Sequence, residues 1–204
     1  MSEMIEKPEA YFRQFLPQRD QLLIALEQEA QREEIPIVGP VVGELLFILA
    51  AATRAERILE LGTATGYSAI YMARALQAPH AQVVTVESDP ATAARAEMNI
   101  RKAGLTHRIR VVTGDALLHL DQRADVFDFV FIDIDKQDYA AALPRCRRVL
   151  RPGGLLVADN VGFKDADPFN RMISVADEWR SVSLFTYLPF HSPEMDGLCL
   201  ALRL

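Results

Sequence analysis

The chain has 204 residues, 50% of them hydrophobic and 25% charged, with a formal net charge of −6. This is the composition of one soluble globular domain, and its acidic balance gives no general electrostatic pull toward nucleic acid. The longest apolar stretch, residues 38–52, is shorter than the roughly 20 residues a membrane span needs and carries Glu44 in its middle, so it reads as a packed helix.

Taken in chain order, the spacing predicts helices over 8–16, 19–34 and 40–53, the second with LLIAL at helical spacing. The charged, polar N-terminus does not read as a signal peptide, so a cytoplasmic location is expected. From residue 56 the pattern changes. The β-branched runs ERILEL, AQVVTVE, RIRVVT, FDFVFID and GLLVAD alternate with helical segments such as YSAIYMARAL and ATAARAEMNIRKAG. Near-continuous apolar strands separated by helix-length connections imply parallel βαβ units with both faces of the sheet covered. Two closing strands, SVSLFTYL and LCLALRL, predict a terminal antiparallel hairpin. With no repeat or linker, the expectation is one domain over 1–204, a helical segment 1–54 leading into a core 55–204. Cys146 and Cys199 match no metal or redox spacing and read as core thiols. Arg145, Arg147, Arg148 and Arg151 read as a solvated helix end before the Pro152-Gly153-Gly154 stop, with a local basic patch as the alternative.

In an open parallel sheet, ligands bind beyond the carboxyl ends of the strands, where the strand order reverses. The first strand runs into ELGTATGYS and then directly into a helix. Gly62 and Gly66 permit a sharp turn and close backbone approach, but alanine at 64 breaks the dinucleotide pattern G-x-G-x-x-G. Glu60 before the loop suits a cationic ligand better than a pyrophosphate, which favours S-adenosylmethionine over a dinucleotide. Glu87, ending the second strand, is placed to accept from ribose hydroxyls, and the GDA at 114–116 to reach an adenine. Each of these residues could singly be a turn or cap residue; their order along one βαβ array is more specific.

FVFIDIDKQDY, residues 129–139, and GLLVADN, residues 154–160, end apolar strands in polar side chains. Asp133, Asp159 and the Asn160 carbonyl form an oxygen set suited to Mg²⁺ if their strands are neighbours; alternatively the two aspartates are turn residues that stop strands. Asp135 and Asp138 read as helix-capping or surface acids. Lys136 is either a surface lysine paired to one of those acids or a general base.

In this order, ILELGTATGYSAIYMA, VVTVESDP, GDA, FVFIDIDKQDY and RPGGLLVADNV resemble the class I metal-dependent O-methyltransferases of the caffeoyl-CoA and catechol type. The resemblance implies an α/β, Rossmann-like fold with a seven-stranded, mostly parallel sheet, a C-terminal antiparallel hairpin and N-terminal helices. It implies S-adenosylmethionine contacts from Val38, Gly43, Glu60, Gly62, Ser68, Glu87, Ala116 and Asp133. It further implies Mg²⁺, Mn²⁺ or Ca²⁺ ligation by Asp133, Asp159 and Asn160, with Lys136 as the catalytic lysine. That lysine would take the proton from an acceptor hydroxyl whose pKa the cation lowers, and the oxygen would attack the sulfonium methyl in line. Family members are usually dimeric, which implies a homodimer.

Two regions depart from the pattern. GFKDADPF follows ADNV where the plant enzymes carry a tryptophan-and-glycine loop, and LPFHSPEMDG offers Phe190 and His191 where the animal catechol enzymes place a carboxylate. The acceptor is therefore expected to be a catechol-like or hydroxycinnamoyl small molecule with adjacent oxygens. The alternatives are a tRNA 5-hydroxyuridine, a non-catalytic S-adenosylmethionine-binding role, and an NAD-dependent oxidoreductase.

Overall fold

The computed structural model describes residues 3–188 and 193–204. Phe190 and His191, which the sequence points to on the acceptor side, lie outside the described residues. Three helices lead: α1 (Pro8–Arg13), α2 (Gln21–Glu33) and α3 (Gly39–Ala52). Then strands and helices alternate as β1 (Arg57–Leu61), α4 (Tyr67–Ala75), β2 (Gln82–Glu87), α5 (Pro90–Lys102), β3 (Ile109–Thr113), α6 (Ala116–Asp121), β4 (Phe127–Ile132), α7 (Tyr139–Val149) and β5 (Leu150–Ala158). The chain closes with α8 (Asp167–Val175), β6 (Trp179–Tyr187) and β7 (Met195–Arg203). Among the described residues no helix is long and apolar enough to cross a membrane.

The seven strands form one sheet in the order β3-β2-β1-β4-β5-β7-β6. β1 to β5 run parallel and β7 lies antiparallel to both β5 and β6, as the pattern of apolar runs and the closing hairpin predict. The period-2 alternation of the strands divides the core. Ile58, Val83, Phe129 and Val157 face the layer containing α3, α4 and α5, whereas Leu59, Val84, Val130 and Leu156 face the layer of α6, α7 and α8. Val83, Val84, Phe129, Val130 and their neighbours are buried whichever way they point, which is why these strands read as unbroken apolar runs rather than alternating ones.

Two boundaries differ from expectation. α1 ends at Arg13 rather than at residue 16. β5 begins at Leu150, immediately after α7, so Pro152-Gly153-Gly154 does not terminate the helix but lies within β5. Pairing shifts there between Phe127↔Leu150 and Phe129↔Leu155, and Gly153 takes φ +72°, so these residues form an irregularity that a proline and a left-handed glycine can accommodate. The arginines behind it are all paired: Arg145 and Arg148 with Asp121, Arg147 with Glu178, and Arg151 with Asp128. Arg145, Arg147 and Arg148 do lie at the end of α7, whereas Arg151 belongs to β5, which corrects the helix-end reading for that residue. Both cysteines are free and buried, and burial pushes the Cys146 thiol up to about 12 and the Cys199 thiol up to about 11, which leaves them inert core groups.

The strand order reverses between β1 and β4. There Gly62, just past β1, turns at φ +96° against the Asp133 backbone, and a Cβ at Gly62 would stand 2.0 Å from the Asp133 carbonyl oxygen. Gly62→Ala is expected to lose at least about 3 kcal/mol of stability, because the obstacle is backbone and the conformation is left-handed. Gly104→Ala is the control, since Gly104 has φ +71° but nothing within 4 Å of a built Cβ; it should lose only about 1–2 kcal/mol. Urea denaturation of the two variants measures both, and equal losses would refute the clash at Gly62.

Candidate active site

The loop from β1 to α4 is built around three left-handed residues. Gly62 donates to Val86 O at 3.0 Å, Gly66 (φ +86°) opens α4, and between them Ala64 sits at φ +45°. Alanine at 64 thus occupies a conformation more easily taken by glycine, at a cost of about 1–2 kcal/mol. Its N–H is held by Glu87 Oε2 at 3.0 Å, and Glu87 Oε1 accepts from Asp89 N at 3.0 Å. The carboxylate at the end of β2 is therefore already anchored on one side by the loop and on the other by the start of α5.

A cavity of about 450 Å³ opens at this edge. Of the residues expected around a cofactor, Val38, Gly62, Ser68, Glu87, Ala116 and Asp133 line it. Gly43 and Glu60 do not. Gly43 lies within α3 against Tyr71, where a Cβ would stand 2.7 Å from the ring, so it serves helix packing. Glu60 is in register with Thr85 and Phe131 inside the sheet, fully buried behind the cavity wall under α4. The near wall, residues 35–38, follows α2, which is tied to α4 by Tyr67 donating to Glu27 at 2.6 Å and Arg74 to Asp20 at 2.5 Å.

On the other half of the cavity, Asp133 N donates to Leu61 O at 2.8 Å and Asp159 N to Ile132 O at 3.0 Å. Each residue continues the parallel ladder one step past its strand, which sets Asp133 and Asp159 side by side. Buried Tyr139 staples these strand ends, its one hydroxyl proton shared between Asp159 O at 3.0 Å and Ile132 O at 3.2 Å. In sequence Tyr139 merely opens a helix, so nothing local reveals that role. Asp159 and Asn160 are 1% and 7% exposed. Lys136 Nζ donates to Asp133 Oδ1 at 3.1 Å, and not to Asp135 or Asp138 as in the surface-lysine alternative. Asp135 and Asp138 line the cavity too, and neither side chain caps a helix, which corrects the capping reading.

Asp133, Asp159, Asn160 and Lys136 thus converge on one cavity. Two carboxylates and an amide carbonyl are hard oxygen donors, which fits a divalent cation of the Mg²⁺ type completed by water or ligand oxygens. Among the described residues no three His, Cys, Asp or Glu side chains gather as a metal cluster, so the soft and imidazole-ligated metals have no matching set there.

Residues 18–167 match the O-methyltransferase family. A Niastella koreensis protein named catechol O-methyltransferase is 40% identical over 166 residues, covering 78% of this chain and 75% of that protein. The Sus scrofa catechol O-methyltransferase is 34% identical over 82% of this chain and 92% of its own length. Among solved structures, an O-methyltransferase from Bacillus cereus in complex with SAH superposes with a TM-score of 0.87 at 30% identity, over 97% of each chain. The O-methyltransferase TomG from Streptomyces achromogenes in complex with SAM gives 0.86 at 30% identity, over 98% of this chain and 99% of that one.

Glu60 has a measurable consequence of its own. Burial pushes its carboxyl up from an ordinary 4.5 to about 8, against the lowering effect of the hydrogen bond from Thr85. Thr85 donates to Oε2 at 2.5 Å, and Oε1 has no partner. The unfolded chain releases this proton near 4.5 and the folded chain only near 8, so the unfolded state binds fewer protons between those values and stability falls as pH rises through them. The slope is at most about 1.4 kcal/mol per pH unit. Denaturation of the ligand-free chain between about pH 5.5 and 8 should show this decline, and Glu60→Gln should flatten it by a few kcal/mol over the window. Identical profiles for the two proteins would place the proton elsewhere.

Proposed function

The chain belongs to the O-methyltransferase family, and we propose that it moves the methyl of S-adenosylmethionine to one hydroxyl of a small catechol-like acceptor, using Mg²⁺ held by Asp133, Asp159 and Asn160. What carries this reading is the convergence of Lys136 with those three oxygen donors on the cavity that Gly62, Ser68 and Glu87 also line. The family excludes the nicotinamide alternative. Two relatives named catechol O-methyltransferase support the acceptor class. Four arginines behind β5 are met by three carboxylates, with Arg145 and Arg148 sharing Asp121, so little positive charge is left there to favour tRNA, and Asp135 and Asp138 at the cavity disfavour a polyanionic coenzyme A thioester.

When bound, S-adenosylmethionine supplies an electrophilic methyl on a sulfonium and the cation supplies positive charge that lowers the pKa of an acceptor hydroxyl. The chain's residues do the positioning. Val38, Gly62, Ser68, Glu87 and Ala116 would contact the cofactor, Glu87 accepting from ribose hydroxyls with a carboxylate already oriented by Ala64 and Asp89. Asp133, at the reversal point between the two halves, would touch both the cofactor and the cation. Lys136 Nζ, which lines the cavity 3.1 Å from Asp133 Oδ1, would in its neutral amine form take the hydroxyl proton as general base. Two adjacent acceptor oxygens would hold the nucleophile in line with the methyl, the arrangement on which such a displacement mainly depends.

A homodimer is part of the proposal. β6 is the sheet edge and exposes Val182 (51%), Leu184 (46%) and Phe185 (68%), an apolar strand edge that a second copy would cover.

Transfer of label from S-adenosylmethionine should be seen with simple catechols, and not with caffeoyl-CoA or hypomodified tRNA. EDTA should abolish it, with Mg²⁺, Mn²⁺ and Ca²⁺ added back to identify the metal, and Lys136→Ala should lower kcat by about 10²–10⁴. Turnover indifferent to EDTA would overturn the metal assignment, and labelled tRNA would replace the acceptor class. Light scattering should give twice the monomer mass, falling to one in Phe185→Asp.

A further inference from the structure

Behind the proposed ligand set lies a buried carboxylate that the mechanism does not use. Asp196, near the start of β7, is 2% exposed, and its two oxygens have separate partners. Oδ1 accepts from the backbone N–H of Gly162 at 3.0 Å and of Gly197 at 2.6 Å, while Oδ2 accepts from Asn160 Nδ2 at 2.7 Å. Val161 N also donates to Gly197 O at 3.0 Å, so the segment that follows β5 is clamped to the start of β7. The clamp admits no side chain at 162, where a Cβ would lie 2.6 Å from Asp196 Oδ1.

We infer that Asp196 is a positioning residue that turns the Asn160 amide so that its carbonyl oxygen, and not its NH₂, is presented to the cation. A carboxylate only accepts, so the amide nitrogen must face it and the oxygen must face away. The same contact accounts for an amide at 160, since a carboxylate there would stand against Asp196 at hydrogen-bond distance with no proton between them. It also holds residue 160 at φ +52°, a left-handed conformation that asparagine tolerates better than most side chains. Partners of this kind fix the orientation of a metal ligand and contribute about 10–100-fold to affinity.

The inference rests on the proposed ligand role of Asn160, and the test separates the two. Mn²⁺ binding is titrated by electron paramagnetic resonance with S-adenosylhomocysteine saturating, on wild type, Asp159→Ala, Asp196→Asn, and Asp196→Asn combined with Asn160→Asp. In Asp196→Asn the carbonyl stays with the Gly162 and Gly197 donors, so NH₂ meets NH₂ and the Asn160 amide must turn over. Mn²⁺ affinity should drop about 10–100-fold, S-adenosylhomocysteine affinity should stay within about twofold, and saturating Mg²⁺ should restore turnover. In the double variant the carboxylate introduced at position 160 would accept from the amide NH₂ introduced at position 196 and offer an oxygen again, so affinity should return to within a few-fold of wild type. If Asp196→Asn proves unstable, the double variant, with its donors and acceptors matched, carries the test alone. Wild-type Mn²⁺ affinity in folded Asp196→Asn, alongside loss in Asp159→Ala, would overturn the positioning role only; so would a folded double variant that fails to bind. Unchanged binding in Asp159→Ala, or none in wild type, would overturn the ligand assignment and this inference with it.

Discussion

The parallel pairing of β1 with β4 presses the Gly62 turn against the Asp133 backbone, with no room between them for a side chain. Everything at the cavity follows from that approach. It places the glycine loop and α4 on one side of the reversal point, with Glu87 reaching back to hold the loop at Ala64. On the other side it places Asp133, and one strand further Asp159 and Asn160, at the same level of the sheet. A cofactor on the first half and a cation on the second would meet at Asp133, because Asp133 follows β4, the strand of the second half that borders β1.

Polar groups deep in this molecule are of two kinds, and their chemistry differs. Asp196 accepts from three donors, with both oxygens engaged, and sits between two backbone segments, so its burial organises the loop that carries Asn160. Glu60 has one oxygen satisfied and one not, and burial holds its proton into the neutral range. A buried acid kept neutral costs less than a buried unpaired charge. Tyr139 belongs with Asp196: its single hydroxyl bridges the ends of β4 and β5 through two carbonyls and reinforces the ladder that sets Asp133 and Asp159 side by side.

Much of the architecture was legible along the chain. Five apolar runs spaced by helix lengths, then two more joined by a short loop, lead to the sheet found: the central runs β1, β2, β4 and β5 are covered on both faces, as parallel strands between two helix layers must be, while β3 and β6 at the edges are partly exposed. Boundaries were less legible where backbone geometry overrode composition. Pro152-Gly153-Gly154 has the composition of a helix stop, yet α7 passes directly into β5 and the three residues are absorbed as an irregularity beside β4. In the site, Gly62, Glu87, Ala116 and the Asp133-Lys136-Asp159-Asn160 set could be read from their places at strand ends and helix starts, which an open sheet directs to one edge, whereas Val38 and Ser68 came only from the resemblance.

Sequence by itself determined the strand count and the burial of the central strands. It also determined which ends carry carboxylates, because hydrophobic periodicity and turn chemistry are local properties of the chain. Only the tertiary structure decided that Lys136 pairs with Asp133 rather than with its nearer acidic neighbours, that Glu60 lies behind the cavity wall, and that Asp196 grips Asn160 from 36 positions away. These are contacts between segments brought together by strand order, and their energies depend on distances of a few ångströms that no local pattern encodes.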